Sequence, residues 1–244
     1  MSRFFLSPFA DFLAAYDRGI GRQGLWAMLW VALACGLAWW VYVPLHELMH
    51  AWGCQLAGGK VTQLDIAEGY GGDLLQRVFP YVRVGSDYAG QLSGFDTHGS
   101  DFIYAVTVFF PYLLTLFPGV PLLMLVRARR HPSVSTLLIL GAALPLAWAP
   151  FLSITGDYYE LGSILASRLG ESLLGMNTSA WRGDDLFRIA GPLFSGTGKL
   201  HAADALGITL GLLIGLLLAF VTYALGRRLG RALGLRGEPE WMRG

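Results

Sequence analysis

Four long apolar segments constrain this chain more than any other feature of its sequence. They cover residues 24–45, 102–126, 134–154 and 205–225, and a helix needs about 20 residues to cross a bilayer. Of the 244 residues, 54% are hydrophobic and only 14% are charged, whereas about a quarter of a soluble domain is charged. We therefore predict an all-α polytopic membrane protein with about four transmembrane helices, built as a single integral membrane domain.

Arginine clusters predict how these helices are oriented. They precede the first apolar segment and follow the second and fourth: Arg3, Arg18 and Arg22; Arg127, Arg129 and Arg130; Arg227, Arg228, Arg231 and Arg236. Under the positive-inside rule, both termini and the 127–132 turn would be cytoplasmic, and residues 56–101 and 155–204 would lie outside. Residues 4–16 would form a short helix at the membrane interface or a partly ordered tail.

The segment after the first span has the pattern of short strands. Residues 60–67 alternate polar and apolar side chains, and residues 78–84 are rich in Val, Phe and Tyr. Glycine pairs at 58–59 and 71–72 supply turns. We expect a small extramembrane β element. It would offer an edge on which an extended peptide could pair, or it would merely cap the helices.

A His46-Glu47-Leu48-Met49-His50 sequence follows directly on the first apolar segment. If the helix continues through it, His46 and His50 lie on one face and can bind one metal ion. Neutral imidazoles suit zinc, and a catalytic zinc has three protein ligands and one position for water. Zinc makes that water easier to deprotonate, and Glu47 would accept its proton as a carbonyl is attacked.

A third metal ligand must come from another part of the chain. Asp157 is the first candidate, because the third span would deliver it at the same depth as the histidines. Glu160, one helical turn further, is the runner-up and could instead orient a histidine. His98, in the loop before the second span, is a third candidate, although a polar loop residue is the simpler interpretation. Cys54 shares a helix face with His50 but is more typical of a packing residue.

These residues resemble the core of the site-2 protease family of intramembrane zinc metalloproteases. Members carry His-Glu-x-x-His on one transmembrane helix and an aspartate ligand on a later one. The resemblance implies a zinc ion held by His46, His50 and Asp157, with Glu47 as the catalytic residue. The family usually has the order Asp-Gly at the aspartate, whereas here a glycine precedes Asp157.

The resemblance covers about residues 24–165, as a core of three helices, and leaves the last span, at about 205–226, as an addition. It also implies an asparagine in the middle helix, which the second apolar segment lacks. That segment offers Pro111, Tyr112 and Thr115 instead. The group that would steady the substrate therefore stays open.

The sequence thus predicts a zinc-dependent intramembrane endopeptidase that cleaves a membrane protein or a signal-peptide-like substrate. We expect it in a bacterial inner membrane. Two alternatives stay open: a metal-binding membrane protein without protease activity, and a zinc hydrolase acting on a lipid or a small amide. A base placed between two ligands favours catalysis over metal storage. The net charge of +1 gives no reason to expect a nucleic-acid partner.

Overall fold

A computed structural model describes residues 2–21, 24–86, 88–129, 133–178, 181–183, 185–187 and 202–235. Within these ranges, four helical segments are long and apolar enough to cross a membrane: Leu25–Leu56, Asp101–Ala128, Val134–Leu173 and Asp204–Ala232. A single three-stranded sheet follows the first of them in the described chain. The predicted fold class is confirmed, and the four segments are compatible with an integral membrane protein. Arg22, Arg130 and Arg236, used above for orientation, lie outside the described residues.

The elements follow in chain order. The helices are α1 (Ser2–Ile20), α2 (Leu25–Leu56), α3 (Gly72–Val78), α4 (Asp101–Phe109), α5 (Val120–Ala128), α6 (Val134–Leu152), α7 (Asp157–Leu174) and α8 (Ala202–Ala232). The strands are β1 (Lys60–Ile66), β2 (Val82–Val84) and β3 (Gly90–Asp96).

The second helical segment is broken in its middle. A 3-10 turn at Phe110–Tyr112 and a π-helical turn at Thr115–Gly119 separate α4 from α5. Each turn contains a proline, Pro111 or Pro118, which has no backbone N–H to donate to the preceding turn. Phe117 is extended, with φ −154° and ψ 123°. The break lets the two halves of this segment pack in different directions.

Close helix contacts depend on glycine at two crossings. A Cβ atom at Gly141 of α6 would lie 2.4 Å from the carbonyl oxygen of Val31 on α2. A Cβ atom at Gly162 of α7 would lie 1.9 Å from the carbonyl oxygen of Gly211 on α8. Helix association in a bilayer relies on such close van der Waals packing, because lipid tails are as apolar as the side chains. These contacts hold α6 and α7 between α2 and α8.

The sheet folds back along α2. Its strand order is β2-β1-β3, with β1 parallel to β2 and antiparallel to β3. β1 begins beside the end of α2 and ends at Ile66, which pairs with Gly90, and Gly90 contacts Glu47 in the middle of the motif. Apolar side chains fill the space between sheet and helix: Leu48, Ala51, Leu64, Ile66 and Val82. One sheet edge is therefore brought to the motif.

Helix α1 lies lengthwise against α6, not across the end of the bundle. In the first half of α1, Phe9 and Phe12 pack on Trp148 near the end of α6. At the end of α1, Gly19 lies close to Leu140, nearer the start of α6. The two helices therefore run antiparallel. Exposed apolar side chains of α1 are Phe5, Leu6, Phe9, Leu13 and Tyr16, and the exposed charges Asp17 and Arg18 follow them. The predicted helix is present, and its Asp11 is buried in the protein.

That inward face carries a buried ion network. Asp11, fully buried, accepts a hydrogen bond from Arg127 of α5, and its other oxygen lies 3.0 Å from Nε of Arg227 on α8. The Tyr223 hydroxyl donates to the same carboxylate at 3.1 Å. Charges inside a membrane protein are stable only when paired in this way. The network joins α1 to both α5 and α8.

Replacing Asp11 by asparagine tests this network. The buried Arg127 and the partly buried Arg227 would lose the negative charge of Asp11, and breaking a buried pair typically costs about 3–5 kcal/mol. We expect a clear fall in the thermal unfolding temperature of Asp11→Asn in detergent. Asp17→Asn, on the exposed side of the same helix, should leave that temperature unchanged. Equal stability of the two variants would show that the network does not hold α1 in place.

Candidate metal centre

Three side chains from two distant parts of the chain converge on one point. His46 Nε2 lies 3.1 Å from His50 Nε2 and 3.1 Å from Asp157 Oδ2. His50 Nε2 lies 3.5 Å from the same oxygen. The histidines lie one helical turn apart on α2, and Asp157 is the first residue of α7. The structure therefore brings together the three residues that the sequence suggested as ligands.

The spacing of the three donor atoms suits a tetrahedral zinc ion. In a tetrahedron, neighbouring ligands are about 1.6 times as far apart as metal and ligand, so zinc bonds of about 2.0–2.1 Å place them roughly 3.3–3.4 Å apart. The three observed edges lie between 3.1 and 3.5 Å. A zinc ion bound by these three donors would keep one coordination position for water or substrate.

The hydrogen bonds of His50 show which of its nitrogen atoms is available to a metal. Its Nδ1 donates a hydrogen bond to the carbonyl oxygen of Thr107 at 2.8 Å, so in the neutral ring Nε2 carries a lone pair. That lone pair faces the Asp157 carboxylate, which is also an acceptor, and both lie near His46 Nε2. Either an N–H of His46 or a metal ion between these atoms would satisfy the two acceptors.

Each of the three candidate ligand side chains is oriented by a hydrogen bond to a neighbouring residue. The Tyr42 hydroxyl is hydrogen-bonded to Nδ1 of His46 at 2.8 Å, and Thr107 holds His50. The Tyr112 hydroxyl donates to Asp157 Oδ2 at 2.6 Å. Partners of this kind fix ring orientation and are typical of metal sites, where their loss costs about 10–100-fold in affinity. The residues present therefore fit a zinc ion.

Glu47 is held beside this group by the sheet. Its carboxylate has an oxygen within 4.8 Å of a nitrogen atom of each histidine. The backbone N–H of Leu92 faces the carboxylate, and a Cβ atom at Gly90 would lie 2.6 Å from Glu47 Cγ. A glycine at position 90 therefore leaves room for the Glu47 side chain, which any larger residue would displace. Strand β3 thus determines where the carboxylate lies.

A cleft of about 760 Å³ opens from the candidate metal centre. Consecutive residues of β3 line it, from Gly90 to Ser93, together with Phe95. Side chains on one face of a strand alternate, so a run of consecutive residues means that the strand presents its edge. Among the described residues, β3 is an outer strand of the sheet and is bonded to β1 alone. From the run of consecutive lining residues we infer that its other edge faces the cleft.

The alternative ligands lie elsewhere. Glu160 lines the cleft and accepts a hydrogen bond from the Tyr104 hydroxyl. His98 lies on an exposed turn, with Nδ1 3.2 Å from Asp96, and does not line the cleft. Cys54 is fully buried next to Gly59, as expected of a packing residue. Asp157 was expected at the outer end of the third span, but helix resumes at this residue, so it lies inside a longer helical segment.

Sequence reasoning missed the roles of two tyrosines. Tyr42 lies four residues before His46 on the same helix, so helical spacing alone could have suggested the contact. Tyr112 was noted in the second span without a role. Its contact with Asp157 depends on the 3-10 turn that contains it, and a local pattern does not predict that arrangement.

Comparison with known proteins adds no family: no family model, no curated protein and no solved structure matches the chain. The functional argument therefore depends on the geometry of the site.

Metal analysis of purified variants tests the ligand set. Wild type should hold about one zinc ion per chain, and His46→Ala, His50→Ala and Asp157→Ala should lose it, because three-ligand sites rarely survive the loss of one donor. Glu47→Gln, Glu160→Ala and His98→Ala should keep their zinc. Wild type without any transition metal after metal supplementation would contradict the proposed ligand set.

The two tyrosines provide a finer test of the same centre. Tyr42→Phe and Tyr112→Phe should bind zinc about 10–100-fold more weakly than wild type, because each removes a hydrogen bond to a ligand. Competition with a fluorescent chelator measures this affinity. Tyr159→Phe is the matched control, since the buried Tyr159 hydroxyl has no hydrogen-bond partner among the described residues. An unchanged zinc affinity in both Tyr42→Phe and Tyr112→Phe would show that these hydroxyls do not support a metal site.

Proposed function

We propose that this chain is a zinc-dependent intramembrane endopeptidase of the site-2 protease type. One observation carries the proposal: three donor atoms from α2 and α7 lie at the edge lengths of a tetrahedral zinc site, inside helical segments able to span a membrane. His46, His50 and Asp157 would hold the ion. Bound there, zinc would polarise a substrate carbonyl and favour deprotonation of a water molecule.

Glu47 is the residue that we assign to proton transfer. It lies between the two histidines in sequence and beside them in space, and its carboxylate borders the cleft. A carboxylate in that position can accept a proton as water attacks and then pass it to the leaving amine. The contact with Gly90 and the N–H of Leu92 keep it oriented for both steps.

The free edge of β3 favours a peptide as substrate. A helix in a membrane has its carbonyls tied in internal hydrogen bonds, so a scissile bond becomes accessible only after local unwinding. An unwound segment needs new partners for its backbone, and the edge of β3 supplies them along the cleft. We therefore favour a single-span membrane protein or a signal-peptide-like substrate with helix-weakening residues. A lipid or small-amide hydrolase would have no use for such an edge.

The same proposal includes a location. From the arginine clusters we place the 127–132 turn and the C-terminus in the cytoplasm of a bacterial inner membrane. A cytoplasmic N-terminus follows from the same rule. The antiparallel packing of α1 on α6 argues against it, because it carries residues 4–12 toward the end of α6 nearest the metal centre. Sidedness therefore stays a prediction at both ends.

Catalysis is tested with two variants that keep the metal ligands. Glu47→Gln should lower the rate of cleavage by about 10²–10⁴-fold, since it removes the proton acceptor. Gly90→Ala should lower it by up to about 10²-fold, because the added Cβ displaces the Glu47 side chain. The assay is cleavage in lipid vesicles of a single-span reporter with a Gly-Pro pair in its membrane segment.

Gly69→Ala is the control for the second variant. Gly69 lies in the turn that follows β1, and a Cβ atom there would meet nothing within 4 Å. All three variants should retain zinc, which separates loss of catalysis from loss of the metal. Undiminished cleavage by Glu47→Gln would overturn the assignment, and the activity would then have to be traced to another group.

A further inference from the structure

A short stretch after α7 returns toward the candidate metal centre. We name residues 181–183 and 185–187 the strap. Its first residue, Trp181, is fully buried where Gly170 of α7 and Gly207 of α8 leave room for the indole ring. Near its other end, the N–H of Leu186 donates to the carbonyl oxygen of Thr155 at 2.9 Å. Thr155 is two residues before Asp157, so the strap ends beside the metal ligand.

A salt bridge fixes the strap directly after Trp181. Arg182 donates two hydrogen bonds to Asp101 at the start of α4, both at 2.7 Å, and its Nε donates to Ser167 of α7 at 2.9 Å. The hydrogen bonds that Arg182 donates to Asp101 raise the pKa of Arg182 above its usual value. Bidentate pairs of this kind combine strength with a defined geometry. The strap is thus attached to both helices that flank the cleft.

The strap also forms part of the cleft wall. Asp185 lines the cleft, and so do Gly90 and Gln91 of β3, Tyr104 of α4 and Asp157 of α7. The volume of about 760 Å³ lies within the range of ligand pockets, roughly 300–1,000 Å³. The strap therefore borders the cleft without filling it. A segment in this position can contact a bound ligand and does not block the site.

We propose that the strap is a clamp for an extended peptide. The peptide pairs with the edge of β3, the strap closes on it from another side, and the Arg182–Asp101 pair sets the width of the space between them. This inference rests on the proposed protease function, because it assigns the cleft to a peptide that reaches the metal. An autoinhibitory strap would have the opposite effect, since its release would then improve access to the site.

Two hydroxamates separate the clamp from the metal centre. Acetohydroxamate is small enough to bind at the metal without reaching the strap. An N-acetylated apolar tripeptide hydroxamate binds the same metal and also extends along the cleft. Calorimetry on the full chain in detergent measures both affinities for zinc-loaded wild type, Arg182→Ala, Arg182→Lys and Arg168→Ala.

Arg168→Ala is the matched control. Arg168 also pairs with Asp101, but it belongs to α7, not to the strap, and its side chain is 58% exposed. We expect Arg182→Ala to bind the tripeptide hydroxamate at least 10-fold more weakly than wild type and acetohydroxamate within twofold of it. Arg182→Lys should fall between, because lysine keeps the charge but not the bidentate contact. Arg168→Ala should match wild type with both ligands.

Each contrary result has a distinct meaning. Unchanged or tighter binding of the tripeptide hydroxamate by Arg182→Ala, with normal acetohydroxamate binding, would overturn the clamp and leave the metal centre intact. Equal weakening of both ligands would assign Arg182 a purely structural role and also overturn the clamp. Failure of wild type to bind either hydroxamate would overturn the metalloprotease proposal and, with it, the clamp.

Discussion

Polar groups inside a membrane bundle must find their partners within the protein, because lipid offers none. The interior of this chain is organised around two such groups. Asp11 of α1 gathers two arginines and a tyrosine from two other helices, α5 and α8, and Asp157 gathers two histidines and a tyrosine. Each group adds polar contacts between helices to the close van der Waals packing described above. The bundle and the candidate site are therefore consequences of the same requirement.

The small sheet extends this arrangement beyond the helices. It turns back along α2, covers the motif with an apolar layer and places the backbone of β3 against Glu47. A helix surface alone would leave the glutamate with several rotamers. Contact with a strand selects one position and also leaves a free edge along the cleft. On the proposed function, positioning of the base and access of a peptide would both depend on this strand.

Much of this architecture follows from local pattern. Hydropathy predicted four spans, and a spacing of four residues placed His46 and His50 on one face of a helix that continues through the motif. Counting spans suggested Asp157, and the structure places it beside them. Each inference needed only short-range periodicity or the fixed thickness of a bilayer. Whether these residues bind zinc stays a prediction.

The features that escaped prediction depend on contacts between distant segments. Hydropathy alone did not predict how helix α1 packs, because it cannot show that Asp11 turns inward to Arg127. The contact of Gly90 with Glu47 joins residues from a strand and a helix, and no periodicity reports it. The role of Tyr112 depends on a break in the second span. Sequence patterns describe single elements well but not their docking.

The split origin of the donor atoms has a consequence for biosynthesis. Asp157 lies 111 positions after His46. A nascent chain that has inserted only its first span therefore contains His46, Glu47 and His50 but not yet Asp157. The three donors can meet only when two more spans have entered the membrane and docked on α2. On the proposed function, a partly synthesised chain would lack the assembled centre. Docking of the third span on α2 would then precede any hydrolytic activity.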